Sequence, residues 1–576
     1  MKRTILASLL VMATTPVWAS ADTIYFGGDI LTMDDVQPTA EAVAVQDGII
    51  VGVGTKQEIK SEHANKDTQL VDLKGKTMMP GFIDSHSHLS VVAMKSSTVS
   101  MDPAPAGDVT SIKDIQRLFG WELAKRPEGT QDWLVGMNYD HVMLDEGRHP
   151  TRHDLDEVST EVPILLIHFS GHGGVANSKL LEMLGFDENM PDPDGGIIVR
   201  ERGTTVPNGV LQEYAFLPAA FEYMSTFGLE PDEARPDDFV QQMFEGLIVD
   251  ALHDYAKKGY TTASDVGLTP DTFGLFSSLA NKKELFIDVA GATYMKGPAT
   301  VEDVIPHYSE EYVNHFRLMG GKATIDGGSP GRTALLREPY HVQLEGEEGY
   351  VGYASMPAPT FNQHAEAYYE ADIPLFVHAL GDGAVDIALE GLEAAAKKYP
   401  GEDRRNQLIH VQQIQEDQFE RVKALDATIS FQITHAFYNA DFHAAQIFGP
   451  ERTKRLVPAN SAIKHGISTT IHHDAPIHPV GQFELIWTAV NRTSRTGKVW
   501  GEDERISVME ALKASTIYAA YQFREEDRKG TLETGKLADL VIVDQNPLEV
   551  EKDLLKDIAI LETIKEGKTV YSAQND

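Results

Sequence analysis

A short apolar or β-branched segment recurs through the middle of this chain, and stretches of helical periodicity separate its occurrences. The segments are residues 82–88, 261–266, 286–293, 316–325, 374–379, 407–412, 427–434 and 467–474. Strands joined through helices need long crossovers and therefore run parallel. Eight of them predict an α/β fold closed as a (β/α)8 TIM barrel, with its chemistry at the C-terminal ends of the strands. The clearest helix spans 237–258. Its apolar positions Phe239, Val240, Met243, Phe244, Leu247, Ile248, Ala251, Leu252 and Tyr255 keep the helical period. Lys257-Lys258-Gly259 then supplies the cations and glycine of a helix end.

The two ends of the chain have a different texture. In residues 22–79, an Asp47-Gly48 turn sits between two Val/Ile runs, which signals a hairpin. Residues 538–544 and 563–572 are two further strand candidates. Both ends together predict one small β-sandwich domain, built from 22–79 and 526–576 around a barrel of 80–525. Residues from about 91 to 235 break the strand–helix rhythm and are rich in Pro, Gly and acidic residues. They are expected to form a large insertion after barrel strand 1, placed to shape substrate access. The first 21 residues have the three parts of a secretory signal: Lys2-Arg3, an apolar run over 4–15, and small-residue cleavage sites at Val17-Trp18-Ala19 and Ala19-Ser20-Ala21. That run is shorter than the roughly 20 residues a bilayer span needs. The expectation is export, most simply to a bacterial periplasm.

The strand ends carry the chemistry. In Gly81-Phe82-Ile83-Asp84-Ser85-His86-Ser87-His88, two histidines stand one residue apart, so on an extended backbone both point to one side. Two neutral imidazoles on one face can grip a metal ion. Further along, Lys322 lies in an apolar strand, followed by Asp326-Gly327; His378 and His410 end the fifth and sixth strands; Asp474 ends the eighth. A barrel brings all of these to one face. A lysine in such a strand demands a counter-ion, a modification or a task, because burying an ammonium is costly. His435, at the end of the seventh strand, either lines the pocket or packs within the wall.

Composition removes several alternatives. The chain has no cysteine, which excludes disulfides, thiolate nucleophiles and cysteine-based zinc sites. The formal net charge is −37, from 50 Lys+Arg against 87 Asp+Glu. That balance repels nucleic acid and anionic membrane, so neither is expected as a partner. The strand ends offer Lys and His rather than a pair of acids, which argues against a glycosidase. Oligomeric state is left open, a homo-oligomer included.

These motifs, taken in order, resemble the amidohydrolase superfamily, and within it the family 3 branch of metal-dependent hydrolases that includes N-substituted formamide deformylase. The matching pieces are Met79-Pro80-Gly81 through His88, the Lys322-to-Gly327 segment with Arg332-Thr333-Ala334, His378-Ala379-Leu380-Gly381-Asp382, His410-Val411-Gln412, Asp474-Ala475-Pro476 and Gly535-Lys536-Leu537-Ala538-Asp539-Leu540. Weaker matches fall in the insertion, at Gly171-His172, Asn177-Ser178, Gly195-Gly196 and Gly209-Val210-Leu211. The resemblance implies that His86, His88 and Asp474 hold one divalent metal, zinc by default, and that His378 and His410 hold a second. It implies that Lys322 bridges the two as a carbamate. It also implies that Asp474 carries the proton while metal-activated water cleaves a non-peptide carbon–nitrogen bond of a small amide. N-formyl, N-acyl and cyclic amides are the expected substrates. Deamination and ester or lactone hydrolysis on the same centre are alternatives, as is a non-catalytic periplasmic metal-binding regulator. His172 and Arg332 are assigned substrate contacts on the match. Glu213, in Leu211-Gln212-Glu213-Tyr214-Ala215, reads as a helix-face residue. His472 and His473 depart from the small hydroxylic residue expected before that aspartate.

Overall fold

A computed structural model describes residues 20–574, apart from 105, 128, 130, 131, 221–238, 295–300, 345 and 347. The expected leader therefore lies outside the described residues except for Ser20 and Ala21, as does the expected start of the helix at 237. Among the described residues, no helix is long and apolar enough to cross a membrane.

Eight parallel strands form one sheet in chain order: β1 (Phe82–Ile83), β2 (Tyr260–Leu268), β3 (Asp288–Tyr294), β4 (Phe316–Thr324), β5 (Leu375–Ala379), β6 (Gln407–His410), β7 (Thr428–Phe431) and β8 (Thr469–Ile471). Just beyond β1, Ser85 Oγ donates to Ile471 O of β8 (3.1 Å) and the His88 N–H donates to Ala475 O (2.9 Å). Strand β1 is far shorter than the expected 82–88. Beyond Ile83, side chains take over from the ladder: the Asp84 carboxylate accepts from Ser264 N–H and Oγ, and the Ser87 N–H donates to Ser264 Oγ.

The helices that cover this sheet form for readable reasons. In Asp382–Lys398 the buried positions Ala384, Val385, Ala388, Leu389, Leu392 and Ala395 recur every three or four residues. Asp382 sits in the first turn and Lys397 and Lys398 in the last, each complementing the helix dipole. Truncating Leu389, which is fully buried, should cost about 2–5 kcal/mol.

Strand alternation splits the sheet's side chains into two cores. Ile83, Val266, Ala290, Ala292, Met319, Phe376 and Ile409 pack together on one face, closed at one end by Ala519, Ala520 and Phe523. Val289, Leu318, Ala323, Leu375, Val377 and Leu408 pack on the other, against the helices. The candidate site grows out of the first face.

The insertion builds its own six-stranded sheet, ordered Gly196–Arg200, Pro207–Glu213, Gly173–Ala176, Ile164–His168, Leu134–Tyr139 and Val99–Ser100. Both of its faces are buried. Leu165 and Ile167 join Leu180 and Phe216 on one side, while Ile164 and Leu166 join Ile115 and Phe119 on the other. The terminal strands also share one sheet: Leu540–Val543 pairs antiparallel with Thr77–Pro80, which in turn pairs with Thr23–Leu31. This sheet is tied to the start of β3 by a buried charge cluster. The Asp288 carboxylate accepts from Lys529 and Lys565 (2.6 Å each), and Lys565 also meets Asp539 at 2.8 Å.

Candidate metal centre

Side chains from five strand ends converge. Asp474 Oδ1 lies 3.3 Å from His86 Nε2 and 3.4 Å from His88 Nε2, and Oδ2 lies 3.8 Å from His410 Nδ1. Lys322 Nζ is 3.3 Å from His86 Nε2 and 3.5 Å from His88 Nε2. The His378 ring stands 4.5 Å from that of His410. In the trio His86, His410 and Asp474, the ligand atoms all lie within 4.8 Å of one another. It draws on both of the ligand sets expected from the sequence.

Backbone geometry explains how each side chain arrives. On β5, Phe376 faces inward and Val377 outward, so alternation turns His378 inward. On β4, the pairing register skips Met319, and this extra residue puts Lys322 on the inner face three positions later. On β6, Ile409 faces inward, so His410 should point out. Instead His410 and Val411 have φ of 73° and 41°, and this left-handed break brings the imidazole into the centre. Asp474 also has positive φ, 61°. Such conformations cost on the order of 1–3 kcal/mol each and persist where surrounding structure enforces them. Gly267 makes room for His88, because a Cβ there would stand 2.9 Å from His88 Nδ1.

The electrostatics suit a cation. Burial pushes His86 down to about 3 and holds His378 and His410 well below the ordinary histidine range, so these imidazoles are neutral donors. Burial alone would raise Asp474, but His410, His86 and His88 outweigh it and keep the carboxylate ionised. Burial lowers Lys322 to about 8, against the attraction of Asp474 and Asp265. Asp474 Oδ1, His86 Nδ1 and His378 Nε2 are buried without an aligned hydrogen-bond partner. The unsatisfied Asp474 Oδ1, with His86 Nε2 and His88 Nε2 within 3.4 Å of it, is what a bound metal would resolve, so the donor set fits a divalent ion.

Around this centre lies a cavity of about 260 Å³, walled by His172, Glu213, Lys322, His378, His410 and Asp474 on its polar side and by Met94, Ile167, Phe216 and Ile477 among its apolar residues. His172 Nδ1 is 2.8 Å from Glu213 Oε2, and Thr333 Oγ1 donates to Glu213 Oε1 at 2.7 Å. Burial works against the charge on His172, yet Glu213 raises its pKa. Glu213 is thus not the helix-face residue expected. It ends strand Pro207–Glu213 with φ of 50°, which turns its side chain onto His172. His435 is buried, hydrogen-bonds Gln432 Oε1 at 2.9 Å and reaches a side pocket shared with His172, His378, His410 and Asp474. Arg332 is directed elsewhere: its guanidinium donates to Val342 O and lies 4.8 Å from the Tyr340 ring centroid.

One neighbour escaped the sequence reading, Asp265, and a second, His472, stood out there only as a departure from the expected residue. Asp265, fully buried in the C-terminal half of β2, accepts from the Ser90 N–H at 2.7 Å and bridges to His88 through the backbone. His472 Nε2 lies 3.2 Å from His410 Nδ1, with Ser430 Oγ on its other nitrogen. His473 turns away to Tyr260, so only one of the unexpected pair reaches the centre. Asp265 had one available signal, an ionisable residue inside a strand with no other charge, akin to the signal that marked Lys322.

Eight parallel strands with imidazoles, a carboxylate and a lysine gathered at their C-terminal ends define a metal-dependent hydrolase architecture. A model of the amidohydrolase family matches residues 69–571, and the chain belongs to that family. It is 27% identical to N-substituted formamide deformylase of Arthrobacter pascens, over 96% of this chain and 98% of that one. It is 27% identical to the protein LONG AFTER FAR-RED 3 of Arabidopsis thaliana, over 98% of this chain and 94% of that one. A crystal structure of an uncharacterised metal-dependent hydrolase from Pyrococcus horikoshii superposes with a TM-score of 0.70 at 23% identity, covering 92% of this chain and 99% of its own.

Proposed function

We propose that this protein hydrolyses a non-peptide carbon–nitrogen bond of a small molecule, an N-formyl, N-acyl or cyclic amide. The observation that carries this reading is the convergence of His86, His88 and His410 on Asp474, whose Oδ1 is left unsatisfied, beside Lys322. His86, His88 and Asp474 would hold one divalent ion and His378 and His410 a second, zinc being the default for such donors. Bound there, the metal supplies Lewis acidity toward water and the scissile carbonyl. With a pKa near 8, Lys322 has a neutral amine fraction able to take up carbon dioxide as a carbamate, which would make it an anionic ligand.

Asp474 is the proton carrier in this reading. It accepts a proton from the attacking water and delivers it to the departing nitrogen, which cannot leave as an amide anion. His172, whose pKa burial lowers but Glu213 raises, offers a donor to the carbonyl oxygen. The apolar wall of Met94, Ile167, Phe216 and Ile477 suits a hydrocarbon substituent on the substrate. The formamide deformylase relative supports an amide substrate.

The same proposal includes closure of the eight strands as a (β/α)8 barrel, supported by the Ser85–Ile471 and His88–Ala475 hydrogen bonds. It includes a terminal β-sandwich domain from 22–79 and 526–576, and export to a bacterial periplasm after loss of residues 1–21. The test is hydrolysis of a panel of N-formyl and N-acyl arylamines by metal-replete and chelator-treated protein. Turnover should require metal and return on its restoration. Metal-replete protein inert to amides, esters and amino-heterocycles alike would refute the proposal.

A further inference from the structure

A second gathering of imidazoles lies in the insertion, apart from the ligands described above. His141 and His149 bracket the loop that follows strand Leu134–Tyr139, and His168 ends the neighbouring strand Ile164–His168. Pairing of Tyr139 with His168 in the parallel ladder fixes the starting point of that loop beside His168. The loop then returns so that the His141 and His149 rings stack with centroids 3.8 Å apart. His141 Nδ1 lies 3.0 Å from His168 Nε2. One ligand nitrogen from each of the three lies within 4.8 Å of the others.

The outer contacts are those of metal ligands. Tyr139 Oη is 2.8 Å from His149 Nδ1, and Ser170 Oγ is 2.8 Å from His168 Nδ1. Tyr139 Oη can accept the Nδ1–H of His149 and so leave its Nε2 as a free lone pair, the arrangement that orients ligating histidines; the Ser170 N–H points at His168 Nδ1 (3.3 Å), so ligation through His168 Nε2 requires its proton to move to Nδ1, facing Ser170 Oγ. Burial holds all three imidazoles below the ordinary histidine range, His141 to about 4, so no proton has to be expelled at neutral pH before a metal binds. Among the described residues these three neutral histidines have no carboxylate in their ring contacts, yet two from a partly exposed loop and one from a buried strand end meet at one place.

We propose that His141, His149 and His168 form a second metal site, separate from the hydrolytic centre and selective for a late first-row divalent ion. An all-nitrogen donor set suits Zn²⁺, Co²⁺, Ni²⁺ or Cu²⁺ and does not suit the oxygen-seeking Mg²⁺ or Ca²⁺. Tetrahedral ligation at about 2.0–2.1 Å per nitrogen spaces ligand atoms by roughly 3.4 Å, so the His141–His168 pair opens slightly, while the stacked His141 and His149 rings must turn apart, because a metal binds in the plane of each ring. Three protein ligands leave one coordination position for water or an outside ligand. The ion would staple the 140–149 loop to strand Ile164–His168. His168 and Ile167 also line the main cavity, so the staple would fix one wall of it.

The experiment uses the full chain without a polyhistidine tag. In a His86→Ala/His410→Ala background, which disables the hydrolytic centre, Co²⁺ is titrated while visible absorption is followed. One equivalent should bind with tetrahedral d–d bands, and His149→Gln/His168→Gln added to the background should abolish them. As a check that does not depend on that background folding, zinc is counted in the wild-type chain and in His141→Gln, whose partly exposed position tolerates the change. The variant should carry one equivalent less with the same far-UV circular dichroism. No Co²⁺ uptake by the folded background, uptake that survives loss of the histidines, or equal zinc in wild type and His141→Gln would each reduce the cluster to a hydrogen-bonded histidine trio.

Discussion

Replacing Asp474 by Asn tests the proposed chemistry with little disturbance of the fold. Asp474 has φ of 61°, and Asn is, with Asp, among the few non-glycine residues that adopt this left-handed conformation readily. The amide keeps the size of the carboxylate and one oxygen, so the 3.3 and 3.4 Å approaches to His86 and His88 can be retained. What is lost is the anion, and with it the capacity to take a proton from water. A positioned general base contributes about 10²–10⁴-fold. At roughly 1.4 kcal/mol per factor of ten, this corresponds to about 3–5.5 kcal/mol of transition-state stabilisation. The expected result is a kcat lower by that factor, with metal content by elemental analysis largely preserved and the melting curve little changed. Loss of the Asp474 charge also removes one of the two attractions that support Lys322, so its pKa should fall further below 8. A variant that retains metal and turns over within tenfold of the wild type would refute the proton-carrier role.

Three further outcomes follow from the structure. Glu213 raises the pKa of His172, so their pair stabilises the fold fully below the unfolded histidine value of about 6.5 and loses that contribution as pH rises through the higher folded value; Glu213→Gln should erase this dependence in urea midpoints compared at pH 6 and pH 9. Asp288→Ala removes the carboxylate that the buried Lys529 and Lys565 share, leaving Lys529 with Glu525 and Lys565 with Asp539, and should destabilise by about 3 kcal/mol in denaturant titration, whereas a loss below about 1 kcal/mol would contradict the clamp described above. Gly267→Ala places a Cβ 2.9 Å from His88 Nδ1, and the displaced ring should weaken metal affinity by about 10–100-fold in competition with a chelator, with circular dichroism unaltered.

The parallel strands were legible because each is a short β-branched run set off by turn residues and helices. Histidines marked their ends for the same reason: an imidazole stands out against Val, Ile and Phe. The insertion's sheet was not legible. Residues 164–167 are buried on both faces, so they lack the alternation by which a half-exposed strand announces itself. Glu213 misled because Leu-Gln-Glu-Tyr-Ala has helical composition, while its actual conformation is set by the strand pairing of Pro207–Glu213 and a positive φ. The entry of His410 is a similar case. Simple alternation would send it outward, and only the left-handed turn at 410–411 brings it in, a feature that non-glycine residue types do not advertise.

Strand Thr77–Pro80 leads straight into β1 and its histidines, yet its hydrogen-bonding partner is Leu540–Val543, near the other end of the chain. A ribosome therefore releases the first ligand-bearing segment long before the strand that will hold it exists. Until Lys529, Lys565 and Leu540–Val543 emerge, one edge of Thr77–Pro80 remains unpaired and Asp288 has no ammonium partners. Prematurely terminated chains should thus be recognisable to proteases as incomplete, so that maturation of the centre is coupled to completion of synthesis.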